Sequence, residues 1–303
     1  MIRFLRNLIL IFLKINKLER QVDSAKILTA NLLSANNLLN QSKINEDIKL
    51  AEFKVFSQWG DDGIIQYLVD YLQIKHKTFI EFGVENYKES NTRFLLINNY
   101  WKGLIYDGSQ RNINEIMRDE IYWKYDLAAE SQFITKENIN DHIEDSGFKG
   151  EIGILSIDID GNDYWVWKEI DIVDPIIVIV EYNPVFGLDK AITVPYDPEF
   201  NRTKAHHSNL YFGASLRALC MLAEDKGYSF LGCTRSGNNA YYIKSGHESG
   251  LSIKSPEEGF VISGSRESRD EQGNLDFISG DDRLKKITGM KVYNVHTDEI
   301  ELL

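Results

Sequence analysis

Thr78-Phe79-Ile80-Glu81-Phe82-Gly83 is a short apolar run that closes on an acid and a glycine. Gly103-Leu104-Ile105-Tyr106-Asp107-Gly108 repeats the form. Ile152-Gly153-Ile154-Leu155-Ser156-Ile157-Asp158 and Ile176-Ile177-Val178-Ile179-Val180-Glu181 end in acids too. Strands that are apolar throughout are buried on both faces, as in a parallel sheet with helices on either side. The segments between them have helical spacing: 58–74, 89–100, 112–122, 136–146 and 164–170, with a short third strand expected over Trp123 to Ala128. In an open sheet of this kind the ligand crevice lies beyond the C-terminal strand ends. Glu81, Asp107, Asp158 and Glu181 are therefore expected around one crevice.

Past residue 183 the pattern changes. Gly213 to Lys226 reads as a helix. Tyr228 to Cys233 and Asn239 to Ile243 read as two strands joined by Thr234-Arg235-Ser236-Gly237-Asn238, a hairpin signal. The chain has 303 residues, enough for two domains or for one with extensions. We expect an arm over 1–47, a main domain over 48–245 and a C-terminal extension over 246–303 that packs near the active site. Hydrophobic residues make up 43% and charged residues 26%, which excludes a disordered chain. The net charge of −12 argues against a general nucleic-acid binder. Cys220 and Cys233 have no metal or framework spacing, which suits a reducing compartment and a cytoplasmic location.

The first 50 residues run against the overall charge, with eight Lys/Arg and four Asp/Glu. No small-residue cleavage site follows the apolar stretch 4–13, where Lys14-Ile15-Asn16-Lys17 stands instead, so a signal peptide is not expected. A heptad runs from Leu8, with Leu8, Ile15, Val22, Thr29 and Asn36 at a, and Ile11, Leu18, Ala25, Leu32 and Leu39 at d. It predicts a coiled coil and a homo-oligomer. Arg3, Arg6, Lys14 and Lys17 beside Phe4, Phe12 and Leu13 keep open a helix lying on the inner face of a membrane. A plain amphipathic helix packed on its own domain is the third reading.

Five parallel strands followed by a helix and a terminal hairpin is the order of the class I methyltransferase sheet, an α/β Rossmann-like, doubly wound fold. Five blocks extend the likeness: 81–93 from Glu81 to Arg93, 103–109 from Gly103 to Ser109, 156–163 from Ser156 to Asp163, 180–183 from Val180 to Asn183, and 238–242 from Asn238 to Tyr242. Together they resemble FkbM-like, S-adenosylmethionine-dependent methyltransferases, most closely a bacterial branch found with surface-polysaccharide genes. The likeness covers about Phe53 to Ile243. It implies methylation of a sugar or related small metabolite, free or nucleotide-linked, in surface glycan biosynthesis.

Methyl transfer from a sulfonium asks for alignment of donor and acceptor and, for a hydroxyl acceptor, for handling of its proton. Gly83 lets the backbone of the Glu81–Gly83 turn approach a ligand. Asp107 is placed for a ribose, as in dinucleotide folds. With Glu85, Asn91, Asp126 (towards the adenine) and Asp158, these residues form the expected donor site. Methyltransferase turns commonly carry a second Gly where this chain has Glu85. Asp158, Asp160 and Glu181 could hold Mg²⁺ or Mn²⁺ to orient and acidify acceptor hydroxyls. Alternatively, Asp158 and Asp160 cap the helix that begins near Asp163 and touch donor and substrate without metal. Asp160, His206 and His207 are the candidate catalytic groups. The histidines fall in a long irregular connection with Pro184, Pro195 and Pro198. An NAD-dependent oxidoreductase is the runner-up, though the Gly-x-Gly-x-x-Gly spacing is absent. A non-catalytic oligomeric scaffold is the other alternative.

Overall fold

The computed structural model describes residues 2–303, without the side chains of Ile2, Arg3, Leu5, Arg6, Leu8, Ile9, Phe12, Leu13 and Asn16. In chain order the helices are α1 (Ile2–Leu39), α2 (Gln41–Glu46), α3 (Asp61–Tyr71), α4 (Arg93–Asn99), α5 (Gln110–Arg118), α6 (Glu120–Lys124), α7 (Ile139–Asp145), α8 (Asp163–Glu169), α9 (Arg202–Ala205), α10 (Leu216–Asp225), α11 (Pro256–Gly259) and α12 (Asp281–Lys286). The strands are β1 (Thr78–Phe82), β2 (Lys102–Asp107), β3 (Leu127–Ser131), β4 (Gly150–Ile157), β5 (Val173–Glu181), β6 (Ile192–Thr193), β7 (Tyr228–Cys233), β8 (Asn239–Lys244), β9 (Lys291–Asn294) and β10 (Glu299–Leu302).

Seven strands form one sheet in the order β3-β2-β1-β4-β5-β8-β7. β1 to β5 are parallel, and β8 runs antiparallel to both β5 and β7. That is the class I methyltransferase fold. Successive residues of a strand face opposite sides, so Phe79 enters one core with Leu68 and Ile177, while Ile80 enters the other with Leu155 and Trp167. Cys220 and Cys233 are buried and unpaired.

β3 starts later than expected. Asp119 accepts the backbone N–H of Ile121 and caps α6, so residues 120–124 coil and the strand begins at Leu127. The connection after β5 is not irregular. Its β6 pairs with β9, and Val185, Ile192, Val194 and Leu210 share a small core with Ile287 and Val292 of the C-terminal segment.

α1 docks by a face other than its heptad seam. Ala30 packs with Val55, Phe56 and Phe94, and Asn37 Nδ2 donates to the carbonyl of Ala51 at 2.9 Å. The seam stays open: Ile11, Ile15, Leu18, Val22, Leu32 and Leu39 range from 45% exposed at Val22 to 86% at Leu39. The expectations placed on Arg3, Arg6, Leu8, Phe12 and Leu13 lie outside the described side chains. Among the described residues, no helix is long and apolar enough to cross a membrane.

Candidate active site

A pocket of about 400 Å³ opens over the C-terminal ends of β1, β2, β4 and β5. Glu81, Gly83, Glu85, Asn91, Asp107, Asp158, Asp160 and Glu181 all line it. Adding Glu89, seven acids that end strands or begin loops surround one space, with Arg202 as the single guanidinium.

Glu81 binds its own chain. Oε1 accepts the N–H of Asn91 at 2.8 Å, and Oε2 accepts Ser90 Oγ at 2.6 Å and the N–H of Thr92 at 3.1 Å. The loop 83–92 is thereby drawn over the strand end, and α4 starts at Arg93 rather than Glu89. Burial pushes the Glu81 carboxyl up, against the hydrogen bonds from Ser90 and Thr92 that hold it down. Asn91 Nδ2 donates to Ser156 Oγ, which ties the loop to β4. Gly83 has φ +75°, and a Cβ there would stand 1.6 Å from the carbonyl oxygen of Asp158, so no other residue fits.

Asp107 holds the next turn. Oδ1 accepts the N–H of Ser109 and Nδ2 of Asn112, and Oδ2 accepts the N–H of Glu85. Gln132, Phe133 and Ile134, which follow β3, complete this end of the pocket. Asp126 does not. Its carbonyl accepts the N–H of Gly103 at the start of β2, four residues and about 13 Å of strand away from Asp107. The acid precedes its strand, and the pocket lies past the other end.

Beyond β4, the carboxylate oxygens of Asp158, Asp160 and Glu181 lie within 4.8 Å of one another. The buried Asp163 shapes this turn by accepting the N–H groups of Ile159 and Gly161. Asp160 adopts φ +57° and meets Nη1 of Arg202 at 2.6 Å. Enclosure, and repulsion by neighbouring acids, push Asp158 and Glu181 well above the usual carboxylate range. Burial works against the charge on Arg202, but Glu181 and Asp160 outweigh it and raise its pKa.

Arg202 was not legible in advance. Nε donates to the carbonyl of Asn209, and the guanidinium lies 3.7 Å from the centre of the Phe212 ring. α9 thus turns Arg202 inward and its following residues away. His206 bonds Ser208 through Nδ1 and lies against the His207 ring, and neither histidine lines the pocket. The expected histidine base is not brought to the site. Asn183 is spent on structure, with Nδ2 donating to the carbonyls of Leu210 and Phe212.

No protein-family profile and no curated protein matches the chain. Among solved structures it is similar to an O-methyltransferase from Bacillus cereus in complex with SAH (11% identity over 73% of this chain and 91% of that one, TM-score 0.40). A second is an S-adenosylmethionine-dependent methyltransferase from Clostridium acetobutylicum (10%, 59% and 88%, 0.39). A third is the N-terminal domain of EvdMO1 with SAH bound (10%, 69% and 94%, 0.39).

Proposed function

We propose that the protein is an S-adenosylmethionine-dependent methyltransferase that acts on a hydroxyl of a sugar or related small metabolite in surface glycan assembly. The observation that carries this reading is the acidic lining of the pocket: seven carboxyl groups, two of them held towards their protonated forms, against one guanidinium. A sulfonium with an α-ammonium group suits such a site, and so does a polyol. A dinucleotide does not, because its pyrophosphate would enter among the acids without the glycine-rich helix N-terminus that normally holds it.

The chain's residues fit the donor. Gly83 leaves backbone exposed at the β1 turn, Asp107 has acceptor capacity beyond its three bonds, and Phe133 and Ile134 offer apolar faces. When bound, the donor supplies an activated methyl group. The protein aligns the acceptor and takes its proton, and Asp160, Asp158 and Glu181 are the groups placed to do so. A divalent cation at these three acids would serve the same end by lowering the hydroxyl's pKa. Incubation with methyl-labelled donor and pooled free and nucleotide-linked sugars tests the assignment. Label is expected in the small-molecule fraction, and label confined to protein or nucleic acid would overturn it.

The open seam of α1 is proposed to pair with a second copy of the chain. The helix already meets its own body through Ala30, Ser34 and Asn37, so the seam is not needed there. Asn36 at an a position is the kind of residue that fixes register in such a pairing.

A further inference from the structure

Glu181 ends β5 and Asn239 begins β8, and the antiparallel pairing sets the two opposite one another. Both line the pocket. Each has a buried oxygen without a hydrogen-bond partner among the described residues: Oε2 of Glu181 and Oδ1 of Asn239. Asn162, another pocket residue, has the same deficit at Oδ1, while its Nδ2 donates to the carbonyl of Asp197. All three orphaned atoms at the pocket are side-chain oxygens that can accept. Buried oxygens left without partners are costly, and three around one space suit donors that arrive from outside.

The orientation of Asn239 is imposed. Asp61, fully buried at the start of α3, accepts the Tyr241 hydroxyl and Nδ2 of Asn239 on the same oxygen, at 2.7 and 2.9 Å. A carboxylate oxygen accepts, so the amide must offer it nitrogen and leave its own oxygen unengaged. Asn239 stands apart from the Glu81–Gly83 turn, Glu181 is one strand nearer, and Asn162 follows β4 beside β1. β8 lies three strand steps from β1, about 14 Å across the sheet.

We propose that Glu181, Asn239 and Asn162 form the acceptor subsite, that it takes a molecule presenting adjacent O–H or N–H donors, a vicinal diol or amino alcohol, and that Asp61 is the positioning residue that fixes Asn239. This deepens the methyltransferase reading and rests on it for which side of the pocket is left to the acceptor. The subsite selects by number of donors: a single hydroxyl satisfies one oxygen and leaves the others unpaired.

Saturation-transfer NMR on the full chain, titrated separately with methyl glucoside, glucosamine and cyclohexanol, tests this. The two sugars should bind and cyclohexanol should not compete. Asn239→Leu should weaken sugar binding by about tenfold, equivalent to ~1.4 kcal/mol. Asp61→Leu, which removes the acceptor of Asn239 Nδ2, should produce a similar loss with the Asn239 side-chain amide signal displaced, while Asp61→Asn, which keeps an accepting oxygen, should restore sugar binding; a merely structural role for Asp61 would not give that pair of results. Affinity for S-adenosylhomocysteine is measured in parallel and should be unaltered in all three variants. If S-adenosylhomocysteine fails to bind the native chain while the sugars bind as described, the methyltransferase reading falls and the subsite stands. Absence of sugar binding, cyclohexanol binding as tightly as the sugars, or equal sugar affinity in the native chain and Asn239→Leu would overturn the proposal.

Discussion

Asp107 Oδ2 accepts the backbone N–H of Glu85 at 2.8 Å, and Glu85 sits at φ +49°. That is the left-handed conformation a glycine adopts freely, at the position where methyltransferase turns commonly carry their second glycine. The missing glycine is thus made good by a bond from the acid at the end of the neighbouring strand. Asp107 both holds the turn and lines the pocket. We expect Asp107→Ala to weaken S-adenosylhomocysteine binding by about 1–3 kcal/mol in calorimetry, the range for bonds to a charged group. Unchanged affinity would remove Asp107 from the donor site.

The cluster of Asp158, Asp160 and Glu181 can be balanced by protons and Arg202 or by a divalent cation. Activity in EDTA separates the two. Loss restored by Mg²⁺ or Mn²⁺ supports the cation. Full activity in chelator, together with a loss of about 100-fold or more in Asp160→Asn, assigns proton handling to the acids alone.

Asp62 holds the segment before α3. Its Oδ2 accepts the N–H groups of Val55, Phe56 and Ser57 and the Ser57 hydroxyl, while Oδ1 has no partner. Burial outweighs these bonds and pushes its carboxyl up to about 6 from 3.8. The folded chain then retains a proton that the unfolded chain releases, so stability falls as pH rises from about 4 to about 6, by about 3 kcal/mol in full. Urea unfolding across that interval should show the native chain losing stability relative to Asp62→Asn. Parallel profiles would mean that the hydrogen bonds, not burial, set this group.

The sheet could be read from the sequence because its strands are apolar on both faces and close on acids, a pattern that survives without tertiary information. Glu81, Asp107, Asp158 and Glu181 meet at one pocket for that reason. What escaped depended on partners distant in the chain. Asp126 lies only a residue ahead of the β3 strand, yet strand polarity puts it at the wrong end of the sheet. Nothing local shows that α9 aims Arg202 inward and His206 outward, because the packing of Phe212 and the carbonyl of Asn209 decide it. The heptad of α1 was visible, but not the second face of small and polar residues by which the helix docks.

For α1 we expect a chain beginning at Asp23 to keep its fold, since Ala30, Ser34 and Asn37 remain docked, and to lose self-association. Light scattering should give a larger mass for the full chain than for the shortened one. Equal masses, with only the full chain pelleting with anionic liposomes, would transfer the seam to a membrane surface.

The most direct test of the account is calorimetry of the full chain with S-adenosylmethionine and, separately, with NAD. Micromolar binding of the methyl donor, about −8 kcal/mol, is expected, and none of NAD. Binding of NAD without binding of S-adenosylmethionine would contradict it.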